Sequence, residues 1–312
     1  MFYGYFIKCF LKLRDIFFKN DEYRLAHEIY PENVKTEVFT YLEDGNEYHK
    51  FNLYKLINDK KERPLIIDIH GGAWVYGDKD LKKAFCTSFV ERGYDVISLS
   101  YRLVNDVLIK DIVKDIFDCL NYIDENKDKL GVSFKNVFIT GDSAGGHLAL
   151  VVSKILNDKA LADELGLKLP SFEVKASLLN HPVPFTTVAG ILPGRKITSK
   201  LVSVPGVKRA LYGKNYKKDI WFQKLADPYV YINKDDKLPK FIVVTSENDH
   251  LYYYQSVMLK ELFEKEEIDF EFSSTKDKDA CHVYNSILPY TEIGIEANNK
   301  IDNYFKKHMK NG

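Results

Sequence analysis

The chain has 312 residues, 45% of them hydrophobic and 29% charged, which suits one large α/β domain or two small ones. Its 45 Lys and Arg balance 45 Asp and Glu, so no global field recruits nucleic acid. The four cysteines, Cys9, Cys86, Cys119 and Cys281, are widely spaced and form no C-x-x-C pair, which argues against a disulfide scaffold or a zinc site and reads as reduced thiols of a cytosolic protein.

Phe2, Phe6, Phe10, Leu13 and Phe17 recur at helical intervals and predict an amphipathic N-terminal helix within residues 1–30. Lys8, Lys12, Arg14 and Asp15 interrupt it, so it is too short in apolar run to span a bilayer and lacks the core of a signal peptide. Packing on the domain, or over its active site as part of a cap, is the expected role. The basic face leaves peripheral contact with a membrane surface as the alternative. Residues 34–42 and 47–57 predict two strands around the turn Asp44-Gly45-Asn46. The apolar runs at 64–70 and 94–101 read as strands buried on both faces. A helix over 106–125, a strand over 136–141 and a helix over 144–157 follow. Then come strands at 174–183 and 240–246, a helix at 251–266, a strand at 269–275 and a final helix over 284–308. Alternation of strands and helices predicts a mostly parallel sheet with helices on both faces. The absence of repeats and low-complexity linkers predicts a single domain, 1–312, with one insertion.

That insertion is residues 184–222, longer than an ordinary connection between strands, and it reads as a lid or cap over the active site. It carries eight Lys and Arg against one acid, Asp219, and residues 1–20 carry four bases against Asp15. In a neutral chain the remainder is therefore acidic.

Two motifs carry chemistry. Gly141-Asp142-Ser143-Ala144-Gly145 is a G-x-S-x-G sequence with a strand before it and a helix after it. A nucleophile needs that sharp turn so that its hydroxyl projects from the end of the sheet, and the helix start aims N–H groups at the reacting centre. "IHGGAW", residues 69–74, follows an earlier strand and matches the HGGG-type turn that donates oxyanion-hole N–H groups. Gly72, Ala73 and Ala144 are the expected donors. Gly71, Trp74, Tyr76 and Asp142 are candidates for the pocket around them, with a core role for Trp74 and Tyr76, and a hydrogen bond to the turn for Asp142, as the alternatives.

"HGGAWVYGDK", "YRL" and "GDSAGGHLA" resemble the α/β-hydrolase superfamily, in particular its hormone-sensitive-lipase-like esterases and the related small carboxylesterases and formamidases. The resemblance runs from about residue 34 to 308 and implies the α/β-hydrolase fold with a cap. Ala73 stands where HGGG has its third glycine, and "SYRLVND" replaces the family's D-Y-R-L-A-P-E. In this fold the acid follows the serine in the chain and the histidine comes last. "FIVVTSENDHLYY" offers Glu247 and Asp249, and resemblance to the pattern T-x-E-x-D-x-L favours Asp249. His282 lies after the last predicted strand and is the expected base, whereas His181 ends the strand before the insertion and can approach the site. Cys281 has no glycine-flanked elbow and is not read as a nucleophile.

The expected function is a serine carboxylic-ester hydrolase acting through an acyl-enzyme on small to medium acyl esters. It needs no metal and no organic cofactor. An amidase or kynurenine-formamidase-like enzyme, or a carbohydrate deacetylase, shares the same residues. A non-enzymatic binding protein of this fold is the remaining class.

Overall fold

The computed structural model describes residues 30–59, 61–104, 106–186, 205–250 and 252–309, with Glu22, Arg24, Leu25 and Glu28. The expected N-terminal helix over 1–20 and residues 187–204 of the insertion lie outside the described residues.

Eight strands form one sheet in the order β1-β2-β4-β3-β5-β6-β7-β8. β1 (Val34–Thr40) and β2 (Lys50–Leu56) form the expected antiparallel hairpin. β2 also pairs antiparallel with β4 (Asp95–Leu99). All remaining pairings, through β3 (Leu65–Ile69), β5 (Val137–Asp142), β6 (Val174–Asn180), β7 (Lys240–Ser246) and β8 (Phe270–Thr275), are parallel. The mostly parallel sheet expected from the alternation is thus present, with β2 its one reversed strand.

Burial on both faces explains why the central strands are apolar throughout. Leu65, Ile67 and Ile69 of β3 point into a core shared with the helices Ile109–Glu125, Ala144–Leu156 and Tyr253–Lys265. Ile66 points the other way, into a second core with Phe85 and Phe89 of the helix Lys83–Glu91 and Ile301 and Phe305 of the helix Glu292–Lys307. Each such fully buried side chain contributes about 1.5–3 kcal/mol of hydrophobic free energy.

Three elements differ from expectation. The helix Lys83–Glu91 was not foreseen, although a crossover between parallel β3 and β4 requires such an element. The expected continuous helix over 284–308 is a single turn, Tyr284–Ile287, and a separate helix, Glu292–Lys307. Pro289 disfavours helical geometry at Leu288 and lacks the N–H to continue the ladder, and Thr291 Oγ1 caps the new start by accepting the Gly294 N–H at 3.3 Å. β6 stops at Asn180 because His181 turns into the left-handed region at φ 44° and Pro182 follows.

The second half of the insertion is built onto the body. It holds the helices Pro205–Tyr212 and Ile220–Leu225, the latter capped by Asp219, whose side chain accepts the Trp221 N–H at 2.9 Å. Leu211, Tyr212 and Trp221 lie in the first core. Thr186 Oγ1 joins the two ends of the segment, bonding Tyr212 Oη at 2.9 Å and the Ala226 carbonyl at 2.7 Å. Among the described residues no helix is long and apolar enough to cross a membrane.

Candidate active site

The chain passes to the far side of β3 between β4 and β5, so a crevice opens at the C-terminal ends of the central strands. The expected reactive residues follow the C-terminal ends of parallel strands, three of them central and one, β8, at the edge of the sheet. Gly71, Gly72 and Ala73 follow β3, Ser143 follows β5, Asp249 follows β7 and His282 follows β8.

Ser143 has φ 52° and ψ −115°, a strained conformation for a residue with a side chain. The turn is that tight because its neighbours have no side chains. A Cβ on Gly141 would stand 2.2 Å from the Gly145 carbonyl oxygen, and one on Gly145 would stand 2.2 Å from that of Ile69. Ser143 occupies the N-cap position of the helix Ala144–Leu156 yet makes no side-chain capping bond, so its Oγ is not spent on the helix.

Gly72, Ala73 and Trp74 form a run of left-handed residues, with φ of 103°, 52° and 62°. Among the described residues, the N–H groups of Gly72, Ala73 and Ala144 have no acceptor. The N–H of Gly71 does have one: it donates to Asp142 Oδ1 at 3.0 Å. The same oxygen takes an ion pair from Lys82 Nζ at 2.5 Å, and Lys82 also reaches Asp68 Oδ1 at 2.7 Å. Thr140 Oγ1 completes this buried cluster by donating to Asp68 Oδ1 at 2.6 Å. Burial alone would depress the Lys82 ammonium, but Asp142 and Asp68 hold it above the ordinary lysine value. Burial pushes the Asp68 carboxyl up, against the pull of Lys82. Gly71 and Asp142 thus tie the turn after β3 to the turn after β5.

Behind the loop, His70 stacks on Tyr101 with ring centroids 4.2 Å apart, and burial lowers it to about 4. Trp74 is buried, edge-on to His147 at 5.5 Å, so it packs in the core. Tyr76 is half-buried, and its N–H donates to the Gly72 carbonyl at 3.0 Å.

Asp249 and His282 are brought together, with Nδ1 2.6 Å from Oδ2. Asp249 Oδ1 accepts the Tyr252 N–H at 3.1 Å. Burial would raise the Asp249 carboxyl, but the His282 charge and the imidazole hydrogen bonds outweigh it and hold the group below the usual carboxylate range. His282 Nε2 is buried and has no hydrogen-bond partner among the described residues, Ser143 Oγ included. Such bonds are often long or poorly aligned before substrate binds. Glu247, the other candidate acid, is turned outward and stands 3.7 Å from Lys276. His181 also reaches Asp249: its Nδ1 is 2.8 Å from the oxygen that His282 uses. Neither that contact nor Lys82 was foreseen; for His181 the signal was its place at a strand end.

An eight-stranded, mostly parallel sheet with helices on both faces and a serine elbow after β5 defines an α/β-hydrolase. The BD-FAE family model matches residues 51–263, and the chain belongs to that family. It is related to esterases. Over 118 residues it is 31% identical to versiconal hemiacetal acetate esterase of Dothistroma septosporum, covering 37% of this chain and 36% of the relative. Over 99 residues it is 34% identical to carboxylic ester hydrolase LipN of Mycobacterium tuberculosis, covering 31% of this chain and 26% of the relative. The matched stretches therefore span well under two thirds of these curated relatives. Esterase B of Lactobacillus rhamnosis superposes with a TM-score of 0.89 at 26% identity, over 98% of this chain and 96% of that one. The same esterase inhibited by a C4-C4 tributyrin phosphonate superposes with a TM-score of 0.87.

Proposed function

We propose that this chain is a serine carboxylic-ester hydrolase that acts through an acyl-enzyme on esters of small to medium acyl chains. The observation that carries the reading is the placement, at the same end of the sheet, of a strained serine with an uncapped hydroxyl and of an imidazole held by a buried carboxylate. Backbone N–H groups with no acceptor among the described residues stand at the same end.

With its Nδ1–H on Asp249, His282 presents Nε2 as the basic nitrogen. Nε2 takes the Ser143 Oγ proton as Oγ bonds to the substrate carbonyl carbon. Asp249 stays ionised and stabilises the imidazolium so formed. The carbonyl oxygen, now an anion, is received by the N–H groups of Gly72, Ala73 and Ala144, each such donor being worth about 3 kcal/mol at the transition state. The alcohol departs with the proton from Nε2. Water then gives a proton to Nε2 as it attacks the acyl carbon, and Ser143 recovers its proton when the acid leaves. These steps use side chains, backbone N–H groups and water.

The esterase names of the relatives support ester hydrolysis, and the tributyrin phosphonate on the Lactobacillus esterase supports short acyl chains. Ser143→Ala should abolish turnover of an aryl butyrate and labelling by a fluorophosphonate while the circular dichroism spectrum is unchanged. Labelling that persists in the variant removes Ser143 from the mechanism. Aryl esters from acetyl to palmitoyl, run beside acetylated sugars and N-formylkynurenine, should show the short esters turned over fastest. Faster turnover of the formamide or of the sugar acetates would move the chain to a different substrate class.

A further inference from the structure

His181 follows β6 with its backbone N–H bound to the Val244 carbonyl at 2.7 Å and its φ at 44°. A residue with a side chain keeps that conformation where its surroundings over-determine it. Its imidazole is fully buried, edge-on to the rings of His282 at 5.4 Å and Tyr284 at 5.6 Å. Its Nδ1 lies 2.8 Å from Asp249 Oδ2, the oxygen that His282 Nδ1 approaches to 2.6 Å.

An ionised carboxylate only accepts, so both rings must present an N–H to that one oxygen. His181 is therefore the Nδ1–H tautomer, with Nε2 bare, and Nε2 has no partner among the described residues. Burial, helped by the neighbouring His282, lowers the basicity of His181 against the pull of Asp249, so the ring donates while neutral and sets no second cation beside His282. The three ligand atoms lie within 4.8 Å of one another, a grouping that could suggest a metal. Ligands about 2.0–2.1 Å from a tetrahedral zinc stand roughly 3.3 Å apart. The observed 2.6 and 2.8 Å are hydrogen-bond separations instead.

We propose that His181 is a positioning residue of this site: its Nδ1–H fixes the Asp249 carboxylate and shares its charge, and so sets the direction and strength of the bond to His282. The inference rests on reading Ser143, His282 and Asp249 as nucleophile, base and acid. Among the described residues, the other ionisable groups around the trio are Tyr252 against His282, Tyr284 against His181, Cys281 in the same loop, and Asp142, which faces Lys82. Burial pushes both phenols up to about 12 and also raises the Cys281 thiol.

The test compares His181→Asn, which keeps an N–H near the Nδ1 position, with His181→Phe, which keeps a ring and loses the donor. Without the donor, more charge stays on Asp249 Oδ2 and the imidazolium holds its proton more tightly. With a small aryl acetate, His181→Phe should lower kcat about tenfold with KM within about twofold, and move the acid limb of kcat/KM up by about half a unit to one unit. His181→Asn should keep the wild-type limb. Turnover retained in Ser143→Ala overturns the nucleophile reading itself. Turnover lost in Ser143→Ala, together with an unmoved limb in a folded His181→Phe, overturns the role of His181 alone. If His181→Phe does not fold, ¹⁵N-histidine spectra of the wild-type chain decide. A neutral His181 ring protonated at Nδ1 across the limb supports the proposal; protonation at Nε2 or a charged ring overturns it.

Discussion

Among the described residues Asp249 meets three N–H groups with its two oxygens, and that load sets what its replacement does. An asparagine offers a single acceptor oxygen, for which the two imidazoles and the Tyr252 N–H would compete. Asp249→Asn should therefore lower kcat by about 10⁴-fold, because His282 is no longer held in the tautomer with Nε2 free. Glu247→Gln should change kcat by less than about twofold, since an exposed ion pair such as the one with Lys276 contributes about 0–1 kcal/mol. Steady-state kinetics of the two variants separate them, and a crippled Glu247→Gln enzyme would reverse the acid assignment. The tight turn at Ser143 was legible in the sequence because sterics demand small residues on both sides of it. A pattern of neighbours favours Asp249 over Glu247, and the structure buries the first and leaves the second exposed. His181 and Lys82 were not legible as partners. Their contacts join residues far apart in the chain: the strand-end position of His181 points it toward the site without naming Asp249 as its partner, and nothing local to Lys82 announces a buried ion.

Elements were legible where one period dominated. The central strands read as apolar runs, and the helix Ile109–Glu125 shows buried Ile109, Ile112, Val113, Ile116 and Leu120 at helical intervals. The helix Lys83–Glu91 carries its own signal in Phe85, Cys86, Phe89 and Val90, but the glycine-rich turn and the charged stretch before it masked the start. The break at Leu288–Thr291 is local chemistry, a proline followed by a capping threonine, that periodicity alone does not weigh. Lys82 is the N-cap residue of Lys83–Glu91 and links that helix to β3 through Asp68 and to the serine turn through Asp142. Removing one partner of a buried ionic cluster leaves charge without compensation. Lys82→Met should lower unfolding stability by about 3–5 kcal/mol in urea titrations. Adding Asp68→Asn should recover part of that loss, because one buried carboxylate is then gone. A double variant no more stable than Lys82→Met would show that the lysine acts by packing and not by charge.

At the scale of the whole molecule, the arrangement that gathers the site at one end of the sheet also buries histidines, and this couples stability to pH. Burial lowers His70 to about 4 and His147 to about 3, and it lowers His181 as well. In the unfolded chain each returns to an ordinary value near 6.5. Since the folded state disfavours the charged ring, unfolding takes up protons at these rings once the pH is below about 6.5, and their contribution to stability falls with pH there, opposed only by carboxyls that burial raises, such as Asp68. The loss begins near the unfolded value and continues down to the folded values, about 4 for His70 and about 3 for His147. Three such rings give a slope of up to about 4 kcal/mol per pH unit. Asp249 adds its own loss in a lower window. Its folded value is depressed, so its contribution is present above the ordinary aspartate value of 3.8 and fades as the pH falls below it. Urea unfolding at pH 7.5, 6.0 and 5.0 should thus show a steep decline between the last two, separate from any reversible loss of activity in the folded enzyme. His147 makes no side-chain hydrogen bond among the described residues, so its titration is cleanly removable. His147→Leu should reduce the slope by about one third, the share of one proton in three. A stability that stays flat from pH 7.5 to 5.0 would mean that these rings find protons or water inside the fold, and that burial does not keep them neutral.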